Sequence, residues 1–112
     1  MNNKLKVAFD NEMRFAKIAY KNSEYGLSFK HLENAHILGQ ECVIPHTKSH
    51  WWMLKIGWRT SDVREVTGQV FRIIASVIFS RIWVPKGNTG GSDVNPLKAM
   101  PIPDKLKRYF DE

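Results

Sequence analysis

The chain has 112 residues, and 17 Lys and Arg against 11 Asp and Glu leave a formal charge of +6. That length allows one domain, and 43% hydrophobic with 12% aromatic residues is too apolar for a disordered basic tail. A lone cysteine, Cys42, excludes an internal disulfide, and the N-terminal stretch lacks the apolar core of a secretory signal, so a cytoplasmic location is expected.

Turn-forming residues at 22–23, 39–40 and 60–62, and a Gly/Pro-rich run from Pro85 to Pro103, separate four segments with helical periodicity. The spacing predicts helices over 4–21, 24–38, 43–59 and 62–83, and a short last helix over 104–110. On the first, Leu5, Ala8, Phe9, Phe15, Ala16, Ala19 and Tyr20 share an apolar side that Glu12 interrupts. The second buries Tyr25, Phe29, Leu32 and Ala35, carries His36 on that same face and points His31 outward. Gly39 suits the residue just past its end, and Pro45 fits only the first turn of the third helix.

The third helix groups Thr47, His50, Leu54, Gly57 and Trp58, with His46 beside them. Trp52 lies opposite, among Lys48, Lys55 and Arg59. The fourth opens on Ser61 as N-cap and is expected to bury Val63, Val66, Val70, Ile73, Ile74 and Val77. Glu65, Gln69, Arg72 and Ser76 form a polar stripe along its other side. The stretch from Val70 to Val84 is interrupted by Arg72 and Arg81 and is shorter than the roughly 20 residues of a membrane span.

Residues 19–25 repeat weakly at 57–63, a spacing of 38 that is near the length of a two-helix repeat of the tetratricopeptide type. The expected fold is all-α: two antiparallel helical hairpins over 1–84, stacked as in tetratricopeptide repeats or closed as a four-helix bundle. A Gly/Pro-rich tail over 85–112 packs on them and ends in the short helix.

Three sets of residues carry chemistry. His46 and His50 are spaced i, i+4, so their imidazoles point the same way, and His36 and Glu12 occupy core-facing positions on other helices. Together they could ligate Zn, Ni, Fe or Cu, with Cys42 as a minor candidate, or form a buried hydrogen-bonded network. The stripe Glu65, Gln69, Arg72 and Ser76 could line a groove for a peptide or protein partner, Arg72 supplying a planar donor fork for a carboxylate. Trp52 and its basic neighbours could stack a nucleobase, although the cations are spread over several surfaces. No catalytic triad or paired catalytic carboxylates can be picked out, so an enzyme is not expected.

The segments His31–Gln40, Pro45-His46, His50-Trp51, Arg64-Glu65, Gly68-Gln69 with Arg72, GNTGG at 87–91 and MPIP at 100–103 together resemble a bacterial family called domain of unknown function 3703. The resemblance covers nearly the whole chain. It implies a small bacterial protein without an assigned activity, and it singles out Glu33, His36, Gln40, His46, His50, Glu65, Gln69 and Arg72 as motif positions. The leading expectation is a non-enzymatic interaction module that binds through the polar stripe. A metal protein built on His36, His46, His50 and Glu12 is the alternative, and nucleic-acid binding through Trp52 is a third reading.

Overall fold

The structure is a computed structural model and describes residues 1–79 and 100–110. Its elements are α1 (Asn3–Lys21), α2 (Tyr25–Gly39), α3 (Val43–Arg59), α4 (Val63–Phe79) and α5 (Asp104–Lys107). The first three agree with the sequence expectation to within a residue at each end. The predicted end of α4 at 80–83, the Gly/Pro-rich run and the GNTGG segment lie outside the described residues.

Each main helix packs on the next in chain order, α1 on α2, α2 on α3 and α3 on α4, while α1 and α3 only graze one another. This serial packing is that of two stacked hairpins rather than a closed bundle. The core is built from Phe9, Met13 and Ala16 of α1, Leu32, Ala35, Ile37 and Leu38 of α2, and Met53 and Ile56 of α3. Leu106 of α5 joins it at 2% exposure, flanked by Ile102, Tyr109 and Phe110. Among the described residues, no helix is long and apolar enough to cross a membrane.

The 38-residue repeat is written into the backbone hydrogen bonds of both hairpin turns. Glu24 N donates to Ala19 O at 2.8 Å and Ser23 N to Tyr20 O at 3.0 Å; 38 residues on, Asp62 N donates to Gly57 O at 2.8 Å and Ser61 N to Trp58 O at 3.2 Å. This pair of bonds closes a helix C-terminus around one residue of positive φ. That residue is serine both times, Ser23 at φ 61° and Ser61 at φ 56°. Ser61 is therefore the end of a turn and not the expected N-cap. Asp62 caps α4, its Oδ1 accepting from Glu65 N at 3.0 Å.

Two amphipathic expectations are overturned. In α1, Met13 is buried while Phe15 stays 45% exposed. In α4 the inward face is reversed: Gln69, Arg72 and Ser76 are buried, whereas Val63, Val70, Phe71, Ile74, Val77 and Ile78 are exposed. The reason lies on α3, which offers α4 a polar surface. Thr47 Oγ1 meets Ser76 Oγ at 2.8 Å and His50 Nδ1 meets Gln69 Oε1 at 2.6 Å. Leaving such groups buried without partners would cost about 1–3 kcal/mol each.

The left-handed conformation costs a serine about 1–2 kcal/mol, part of which glycine recovers after its own larger loss of chain entropy. Ser23→Gly and Ser61→Gly are each expected to stabilise the protein by about 0.5–1 kcal/mol, measured by urea unfolding. The same exchange at Ser28, a buried helical residue whose hydroxyl donates to Ala16 O at 2.7 Å, is expected to destabilise.

Candidate metal centre

His36 projects from α2 toward α3 because it shares a face with Leu32, and both are buried. The next three residues of chain are tightly guided. Gly39 is the last residue of α2, and a Cβ there would lie 2.7 Å from Pro45 Cβ and 3.0 Å from the Phe9 ring. Glycine is needed here for space rather than for a left-handed turn. Its absent side chain lets the first turn of α3, with Pro45 in it, close over the end of α2 and carry His46 to His36.

The three imidazoles meet at their Nε2 atoms. His36 and His46 are 2.9 Å apart, His46 and His50 3.0 Å, and His36 and His50 3.1 Å. The residues are 3%, 8% and 2% exposed. Burial pushes the pKa of His46 down to about 4 and that of His50 to about 3, the latter helped by the positive charges of His46 and Arg72. Both rings are therefore neutral near pH 7.

A relay from α4 orients one of them. Gln69 Nε2 donates to Glu65 Oε2 at 2.6 Å and approaches Met53 Sδ at 3.4 Å. A carboxylate only accepts, so the amide N–H₂ faces Glu65 and the carbonyl faces His50. Nδ1 of His50 must then carry the proton, and its Nε2 turns a lone pair into the triangle. Nδ1 of His46 is buried without a hydrogen-bond partner among the described residues, and so are both amide atoms of Gln40, a residue only 1% exposed.

The other candidate residues go elsewhere. Glu12 does not reach the histidines: Oε2 binds Nδ1 of His31 at 2.6 Å and Oε1 accepts from Asn34 at 3.3 Å. His31, expected to point outward, is thus turned onto α1. Cys42 occupies the N-cap position of α3, and the potential ligand cluster among the described residues comprises His36, His46 and His50 alone. Gln69, Arg72 and Ser76 of the stripe are buried, with Gln69 and Ser76 bonded to α3 and Glu65 half-buried at its end. Trp52 packs edge-on to Tyr20 at 5.4 Å and carries the Lys55 ammonium 3.9 Å from its ring centre. Its faces are used within the protein. Helical periodicity sets Gln69 on the polar side of α4, away from the apolar face, and so does not join it to the histidines; Gln40 stands out in the sequence only through the family resemblance.

Because the folded-state pKa values of His46 and His50 lie below 6.5, the unfolded chain binds protons first as the pH falls. Their contribution to stability is complete above about pH 6.5 and declines from there toward pH 4, by up to about 1.4 kcal/mol per pH unit for each ring. Thermal melts of chelator-treated protein are expected to show Tm falling from pH 7.5 to pH 5, with a shallower slope in His50→Gln.

The comparisons with known proteins bear on the family and not on the chemistry. No curated protein and no solved structure matches the chain. One family profile, described as "Protein of unknown function (DUF3703)", matches residues 3–110. A match over nearly the full length, with the residues of the imidazole cluster inside it, shows that the chain belongs to the DUF3703 family.

Proposed function

We propose that the protein binds a divalent transition-metal ion through Nε2 of His36, His46 and His50. The observation that carries this reading is the triangle of three Nε2 atoms within 2.9–3.1 Å of one another. Each Nε2 either bears a proton or offers a lone pair. Three atoms with two states cannot alternate around a triangle, so at least one of the three close contacts pairs like with like and is repulsive. A cation that accepts all three lone pairs removes the conflict, and neutral imidazoles are the form it requires.

The dimensions agree with such an ion. At metal–nitrogen lengths of about 2.0–2.1 Å, nitrogens about 3.0 Å apart subtend about 90° at an ion roughly 1 Å above their plane. That is one face of an octahedron, and opening each edge by about 0.3 Å gives a tetrahedral site. The donor set is all nitrogen, which suits Zn²⁺, Ni²⁺, Cu²⁺ or Fe²⁺ better than Mg²⁺ or Ca²⁺. With three imidazoles from the described residues, the remaining coordination positions are available to water or an exogenous ligand, the pattern of metal sites that do chemistry or exchange cargo.

Elemental analysis of protein made without a histidine tag should find about one ion per chain, and saturating Zn²⁺ or Ni²⁺ at 100 times Kd should add about 2.7 kcal/mol of stability. His36→Ala and His50→Ala should lose both effects. Glu12→Gln should keep them, since Glu12 serves His31. Less than a tenth of an ion per chain, with no change in Tm on adding Zn²⁺, Ni²⁺ or Cu²⁺, would overturn the reading.

The Glu65–Gln69 relay supplies a second test. Gln69→Leu frees His50 to protonate at Nε2 and is expected to weaken metal binding about 10–100-fold. Competition with a chromophoric chelator measures this, and circular dichroism checks that the variant remains helical.

A further inference from the structure

Two buried groups on the helices that meet at the imidazoles take no part in the metal reading, Arg72 of α4 and Gln40 at the end of α2. Arg72 is 9% exposed and Gln40 1%. On α4, Arg72 lies three residues after Gln69, which contacts His50, and four before Ser76, which contacts Thr47. Its helical register therefore sets it against the turn of α3 that carries His46 and His50.

The internal repeat places it the same way. Positions 12, 31 and 34 correspond, 38 residues on, to 50, 69 and 72. In the first hairpin His31 and Asn34 both bind Glu12. In the second, Gln69 binds His50 at 2.6 Å, and Arg72 stands where Asn34 stands.

Gln40 follows His36 by four residues, and its backbone remains in the right-handed helical region, so it extends the face of α2 that bears His36. Among the described residues its amide has no hydrogen-bond partner for donor or acceptor, and His46 Nδ1 has none either. Unsatisfied amide groups this deeply buried are rare and call for a partner. The charge of Arg72 acts on His50, and a metal dication at the imidazoles would add further positive charge. That environment selects a negatively charged ligand for the metal's open side.

We infer that the metal site takes a small anion as its exogenous ligand, a carboxylate or inorganic anion that completes the metal's coordination while Arg72 and the Gln40 amide hold it. This rests on the metal reading, because the anion's primary partner is the ion. The three imidazoles supply fixed ligands, Arg72 supplies charge, and Gln40 supplies a neutral donor. The site thereby favours metal and anion together over either alone.

Cobalt(II) and azide serve as probes, on the full chain without added histidines. Azide should change the visible spectrum of the Co²⁺ protein saturably and raise its affinity for Co²⁺. Arg72→Met and Gln40→Leu should retain one Co²⁺ per chain and weaken azide about ten-fold or more, with Arg72→Lys intermediate. A Co²⁺ protein whose spectrum ignores azide at large excess would overturn the anion inference and leave the metal reading standing. Unchanged azide affinity in both variants would overturn the assignment to Arg72 and Gln40. Failure to take up Co²⁺ would overturn the metal reading itself. Should Arg72→Met fail to fold, the azide titrations of the unmodified chain and of Arg72→Lys decide the matter.

Discussion

The structure is organised around a conflict that three buried imidazoles create. Nitrogen atoms that each either donate or accept cannot all be satisfied in a triangle, yet His36, His46 and His50 are held with Nε2 atoms 2.9–3.1 Å apart. Much of the second hairpin follows from keeping them there. Gly39 has no side chain so that Pro45 can close on the end of α2. Gln69 is drawn inward to accept a hydrogen bond from Nδ1 of His50, and Glu65 fixes which way its amide points. With the polar stripe of α4 committed to α3, Val63, Val70, Ile74, Val77 and Ile78 are left on the outside, and Val66 and Ile73 are half-buried.

The two hairpins share a backbone plan and differ in chemistry. Their turns have matching hydrogen bonds and the same strained serine. The contact that joins their helices is also repeated: Glu12 to His31 in the first and His50 to Gln69 in the second, each at 2.6 Å. In the first hairpin the pair is a carboxylate with an imidazole, which satisfies both groups locally. In the second, Nδ1 of His50 is used toward Gln69 of α4, and its Nε2 meets His46 on its own helix and His36 of α2. One repeat position thus closes a bridge in one unit and turns a ring nitrogen into the imidazole cluster in the other.

The same repeat explains why Glu12 misleads when read on a helical wheel. It does lie on the inner side of α1, as the histidines lie on the inner sides of α2 and α3. Its inward direction, however, leads to α2 one turn before His36, where His31 and Asn34 receive it. Periodicity reports that a side chain faces a neighbour, and it does not report which residue of the neighbour it reaches. Trp52 gives the complementary case: its cationic surroundings are real, but Tyr20 and Lys55 already occupy its ring.

Local chemistry determined much of this protein. Helix limits, the 38-residue repeat, the i, i+4 histidine pair and the inward position of His36 all follow from residues within a few turns of each other, where helical geometry is regular. Tertiary structure alone decided which face of α4 turns inward. That helix has both an apolar side and a polar side, and burial favours the apolar one until a neighbour presents buried groups that must be hydrogen-bonded. The neighbour's surface is set by α2 and α3 together, through a glycine contact between residues six apart and a histidine contact between residues fourteen apart. No periodicity within α4 contains that information, so the residues that complete the site became visible only when the helices were packed.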